Sequence, residues 1–223
     1  MKNYKKIIMG ILIFIIYIIV NMYISNFLNL FGFNKLPIFL KLIVSLLYDL
    51  LILMTLVFVY LKKFIFDLKD FKKNFKHYSN NYFKFFFLNI GLMMIANIII
   101  SSIIKVPITT NQKYVEALLM KYPIYAIISA SIIAPITEEM IFRLNFKTIF
   151  NNNIVFIIVS GLVFGIMHFT SATSMQELLY IIPYSIPGFI FAYTFAKSDN
   201  IFVPISLHMM HNILMIILSF IIR

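Results

Sequence analysis

The chain contains no cysteine and no tryptophan. Without thiols it has no disulfide framework, no thiolate metal site and no cysteine nucleophile. Charge is also scarce: 12% of residues are Asp, Glu, Lys or Arg, about half the usual share. Acid is the scarcer sign, with 8 carboxylates against 19 basic residues. Alternating short hydrophobic segments are missing, which excludes a membrane β-barrel. Internal repeats and a polar, separately folding segment are missing too. What remains is apolar. Hydrophobic residues make up 62% of the 223, the mean hydropathy is +0.96, and several apolar runs reach the roughly 20 residues that span a bilayer. The fold class is all-α: a polytopic transmembrane helical bundle of about seven spans, with six to eight allowed by the run boundaries. It reads as one membrane domain, 1–223. Residues 1–123 supply N-terminal spans and a basic loop, and 124–223 form a core.

The net charge of +11 could suggest nucleic acid. Its placement argues against that partner. The lysines fall mostly between apolar runs, as in cytoplasmic loops beside anionic lipid. All but two of the basic residues are lysine; the exceptions are Arg143 and Arg223. The first run, Ile7–Ser25, follows Lys2, Lys5 and Lys6. It is longer than a signal-peptide core and no small-residue cleavage site follows. It reads as a retained span with a cytoplasmic N-terminus, in a multi-pass protein of the cell membrane.

The second run, Pro37–Leu61, carries Asp49, read as a helix-contact or polar-cavity group. Lys62–Lys84 is a lysine-dense loop, cytoplasmic by its charge. Phe64, Leu68, Phe71 and Phe75 recur in it at helical spacing, which predicts an amphipathic helix on the membrane surface. His77 reads as an exposed loop histidine. The third run is Phe83–Ile104. Lys105–Pro123 forms an outer loop with a short amphipathic helix around Tyr114–Met120. The fourth is Ile124–Phe150, with Pro135 expected to bend it and open space beside Glu138. The fifth, Ile154–His168, carries Gly161 and Gly165 at the spacing that lets helices approach closely. The sixth, Met175–Ala196, is expected to break at Pro183 and Pro187-Gly188. The seventh, Ile201–Ile222, leaves the C-terminus outside.

Inside the fourth run stand Glu138, Glu139 and Arg143. One charge at the centre of a membrane helix costs about 2.5–3.5 kcal/mol on insertion scales, so three in six residues need a reason. Glu139 and Arg143, four apart, share a helix face and can pair. Glu138 lies about 100° around the helix with no local cation, which suits a general acid or base. A salt-bridge network that merely ties helices together is the simpler reading, but it has no need of a second carboxylate. His168 closes the fifth run. His208 and Asn212, four apart, share a face of the seventh, with His211 beside them. An imidazole and a carboxamide on one face can stabilise an oxyanion. The set fits water-mediated hydrolysis: Glu138, aided by His168, deprotonates water, His208 and Asn212 hold the oxyanion, and Glu139 and Arg143 fix the helix. Ser160 and Ser206 have no base at helical spacing. Counted along the helices, His168 lies 14 residues into its run, about 21 Å, and His208 about seven into its own. The two meet only if those boundaries shift.

Glu138-Glu139-x-x-x-Arg143, Phe164-x-x-x-His168 and His208-x-x-x-Asn212 resemble, in order and rough spacing, the three motifs of the CAAX prenyl endopeptidase and bacteriocin-processing family, also called the Abi family. The resemblance covers about Ala130–Asn212. It implies an intramembrane endopeptidase with a helix-lined site, and Glu138 as its base. Members are often labelled metalloproteases. Glu138, His168 and His208 could supply a two-histidine, one-carboxylate set for zinc. His-Glu-x-x-His is missing, and a metal-free mechanism is favoured. The expected partners are a membrane-associated or hydrophobic peptide or protein substrate and the bilayer itself, with a pheromone, leader or bacteriocin precursor more fitting than a prenylated protein. A non-catalytic immunity or regulatory protein of the same family is the alternative. A proton-coupled transporter ranks last, because the polar residues sit in one half.

Overall fold

The structure is a computed structural model that describes residues 4–104, 109–169 and 174–221. Lys2, Lys105 and Arg223 lie outside the described residues. Every regular element among those described is helical. In chain order they are α1 (Tyr4–Leu30), α2 (Ile38–Val59), α3 (Leu61–Lys73), α4 (Phe75–Tyr82), α5 (Lys84–Ile103), α6 (Thr110–Lys121), α7 (Pro123–Ile149), α8 (Asn153–Met167), α9 (Ile181–Ser198) and α10 (Phe202–Ile221). Short 3₁₀ turns precede α2 and α9.

Six segments are long and apolar enough to cross a membrane: α1, α2, α4–α5, α7, α9 with its 3₁₀ lead-in, and α10. The fifth apolar run is not among them. Its helix α8 has 15 residues, about 22 Å of rise against a hydrocarbon core near 30 Å. The sixth run does not break at its prolines. Pro183 falls in the first turn of α9, where a missing N–H costs little, and Pro187 lies inside a helix that continues to Ser198.

α8 and α9 pack most closely. A Cβ on Gly161 would lie 2.2 Å from the Phe189 ring, one on Gly165 2.1 Å from Ser185 Oγ, and one on Gly188 2.6 Å from the Gly161 carbonyl oxygen. The small residues read at 161 and 165 therefore face a third small residue across the interface, and the backbones approach through the gap.

α1 seats on the end of α7 by the same device. Gly10 is buried, and its carbonyl accepts a hydrogen bond from Asn145 Nδ2 at 3.0 Å. Tyr60 Oη donates to Asn145 Oδ1 at 2.7 Å. One buried amide thus joins α1, α7 and the end of α2.

The lysine-dense loop is helical, as α3 and α4, but its aromatic stripe does not lie on the membrane surface. Phe64 and Phe71 pack on Phe202 of α10, at ring separations of 5.0 and 6.1 Å. Beneath them Asp67 is fully buried and accepts from the Ile201 backbone N–H at 3.0 Å. Asn200 Nδ2 donates to the Asp67 carbonyl and to Asp70, both at 2.9 Å. Burial raises the Asp67 carboxyl above the usual range, while hydrogen bonds from Tyr78 and Asn200 lower Asp70. The outward face of α3 carries the exposed Ile65 and Phe66 instead. An inward carboxylate at the start of α10 outcompetes lipid for this face, because the first N–H groups of a helix need acceptors.

Candidate active site

α7 is not a regular helix. Two π-helical turns, Ser129–Ile133 and Met140–Asn145, flank the α-helical piece Ala134–Glu139. Such turns frequently occur at functional sites. Pro135 sits between them and has no N–H. The carbonyl five residues earlier, that of Ala130, instead accepts from Asn212 Nδ2 of α10 at 2.7 Å. That bond uses one of the two amide hydrogens on Asn212 and leaves the other.

Below Glu139 every residue from Met140 to Asn145 is buried. Glu139 and Arg143 are both fully buried and paired, with Arg143 Nε 2.8 Å from Glu139 Oε2. Arg143 Nη1 donates to Ser160 Oγ at 2.5 Å, and Ser160 donates onward to the Phe142 carbonyl at 2.7 Å. The guanidinium lies over the Phe164 ring, 5.1 Å from its centroid. A charge this deep is tolerable only when its donors are matched, and here they are met by a carboxylate, a hydroxyl and a ring face.

His208 links the two carboxylates. Its Nδ1–H donates to Glu139 Oε1 at 2.9 Å, the acceptor role being fixed by an oxygen already paired with arginine. Its Nε2 lies 3.9 Å from Glu138 Oε2. The ring stacks on Phe191 at 5.0 Å. His168 caps the end of α8, its Nδ1–H donating to the Phe164 carbonyl at 2.9 Å. That bond fixes the tautomer and leaves Nε2 as an acceptor. Its ring stacks on Tyr184 at 5.0 Å. Phe164 touches both imidazoles, 4.8 Å from His168 and 5.6 Å from His208. The two histidines therefore meet at one depth.

Glu138, His168, His208 and Asn212 line one cavity of about 1150 Å³. The Glu138 side chain is 23% exposed there. Glu139 and Arg143 stand behind it, out of reach. His211, beside His208, also lines the cavity and is bonded to the buried Asn89, Nδ2 to Nδ1, at 3.0 Å. Four contributors carry no signal in the sequence: Ser160, Tyr184, Phe191 and the Ala130 carbonyl. Each acts through a contact between helices, and serine or aromatic residues are unremarkable in an apolar run. Ser206, the other serine weighed, donates to its own helix at Val203.

Residues 120–214 match the family model described as type II CAAX prenyl endopeptidase Rce1-like. Over this segment the chain is similar to that family. The matched residues include all three motifs and every site residue named above except Asn89. A stretch of 112 residues, 49% of the chain, is 32% identical to the Bacillus subtilis (strain 168) protein named "Putative membrane peptidase YdiL". The match spans 43% of that relative, less than half its length. No solved structure matches the chain. The segment matched by the family model begins at the end of α6.

The donor set does not fit a zinc site as placed. Among the described residues no three His, Asp or Glu side chains converge as ligands.

Proposed function

We propose that the chain is an intramembrane endopeptidase that hydrolyses a peptide bond of a membrane-associated or hydrophobic peptide or protein. One observation carries this reading: of two adjacent glutamates, Glu139 is sealed into an ion pair and Glu138 opens on a large cavity beside two histidines. A structural network would seal both.

In the proposed reaction the substrate peptide occupies the cavity. Glu138, assisted by the acceptor Nε2 of His168, takes a proton from water as the water oxygen bonds to the carbonyl carbon. The carbonyl electron pair moves to oxygen. The remaining Asn212 N–H and a protonated His208 Nε2 hold that oxyanion. Collapse breaks the C–N bond, and the proton on Glu138 passes to the leaving amine. Glu139 holds His208 in place through Nδ1, and Arg143 holds Glu139. The mechanism is proposed without a resident metal.

The test is cleavage by purified protein in proteoliposomes, with products identified by mass. Hydrophobic peptides are expected to give two fragments, with activity unchanged by chelators. Stoichiometric metal in active protein, with activity lost on its removal, would overturn the metal-free mechanism. Failure to cleave any membrane peptide, with the fold intact, would overturn the protease reading.

A further inference from the structure

Glu138 lies between two unequal cavities. The large one carries the histidines. The small one, about 150 Å³, is bounded by α1, α2 and the first π-helical turn of α7. Tyr17, Asn21 and Glu138 line both. Asp49, Ser129 and Thr137 line only the small one, and about half of its wall is polar. Ser129 Oγ donates to Asp49 Oδ2 at 3.1 Å across helices. Thr137 is 7% exposed, and its Oγ1 is buried with no hydrogen-bond partner in the protein. Buried hydroxyls find partners, and where protein supplies none the usual partner is water. At the roughly 30 Å³ that each water takes up in the liquid, the chamber has room for about five.

We propose that this chamber is the water store of the active site, and that Asp49 is a positioning residue that keeps it wet. The proposal rests on the protease reading above. A peptide that fills the large cavity expels water from it, yet the reaction consumes one water per bond cut. The small chamber is too narrow for a peptide and reaches the same carboxylate from the other side. Water held there stays beside Glu138 while substrate is bound. Asp49 and Ser129, on facing helices, hold its polar wall together. Asp49 makes no contact with the peptide and exchanges no proton in the reaction.

The experiment uses the full chain in proteoliposomes. Ile52, on the chamber wall, is changed to Phe to fill the space, and Asp49 to Leu and to Asn. Ile52→Phe and Asp49→Leu are expected to lower kcat by about tenfold or more while KM for the peptide stays within about twofold. Asp49→Asn, still polar, is expected to restore most of kcat. Unchanged kcat in the first two variants would overturn the proposal, as would a rise in KM with kcat intact, which would assign the chamber to the peptide. A second measurement does not need cleavage. The chain has no cysteine, so Ile52→Cys carries a single thiol. Protection of that thiol by Ag⁺ from the aqueous phase, read as blocked maleimide labelling after denaturation, is expected for a wetted chamber. No protection would overturn the proposal even if the protein proves to cleave, and protection would stand even if it does not.

Discussion

The two halves of the chain use the same apolar alphabet and bury it very differently. α1, α2 and α5 each keep one or two residues buried within the protein, Gly10, Leu56, and Asn89 with Ile100. Ile16, Phe58 and Ile95 stand well exposed. Their apolar surface belongs to lipid. α7, α9 and α10 bury much of their polar content, and Glu139, Arg143, Asn145 and Thr194 are fully buried. In water both halves would gain from hiding hydrophobic surface. In a bilayer that gain vanishes, and packing is won by close backbone approach and matched polar groups. Matched polar groups are what the second half has, and they are also what a hydrolytic site needs.

The contrast can be broken most severely at its buried ion pair. Arg143→Met removes the buried cation opposite Glu139, which keeps only its hydrogen bond with His208. A loss of about 3–5 kcal/mol is expected, seen as a large fall in the thermal midpoint of detergent-solubilised protein; a midpoint unchanged by the substitution would show that the pair does not hold the core. Gly161→Leu comes next. It drives a side chain into the Phe189 ring, and overpacking of this kind costs typically about 1–3 kcal/mol. Ile16→Leu is the smallest. It is 58% exposed and faces lipid, so a change within about 0.5 kcal/mol is expected. A large effect there would mean that the first half is packed against protein after all.

Part of this organisation is legible in the residues themselves. The Glu139–Arg143 pair follows from helical spacing, and the Gly161–Gly165 face from the small-residue rule. Both are local patterns within one helix. The π-helical turns are not legible, because nothing in Ser129–Ile133 or Met140–Asn145 marks a change of hydrogen-bond register. Pro135 points to the region, but the Ala130 carbonyl is answered from 82 residues away. The aromatic stripe Phe64–Phe71 has the period of a membrane-surface helix, and it packs on Phe202 because Asp67 and Asn200 fix the start of α10. Asp49 reads as a polar-cavity group, and its Ser129 partner is 80 residues distant. Periodicity reports which face is apolar; it does not report whether lipid or another helix covers it.

The central claim is the division of labour between adjacent carboxylates, and it is tested by comparing Glu138→Gln with Glu139→Gln in proteoliposomes. Glu138→Gln is expected to lower kcat by about 10²–10⁴-fold with the thermal midpoint and peptide affinity unchanged, while Glu139→Gln lowers the midpoint as well. Glu138→Gln that retains near wild-type kcat, or that unfolds the protein as Glu139→Gln does, would contradict the account.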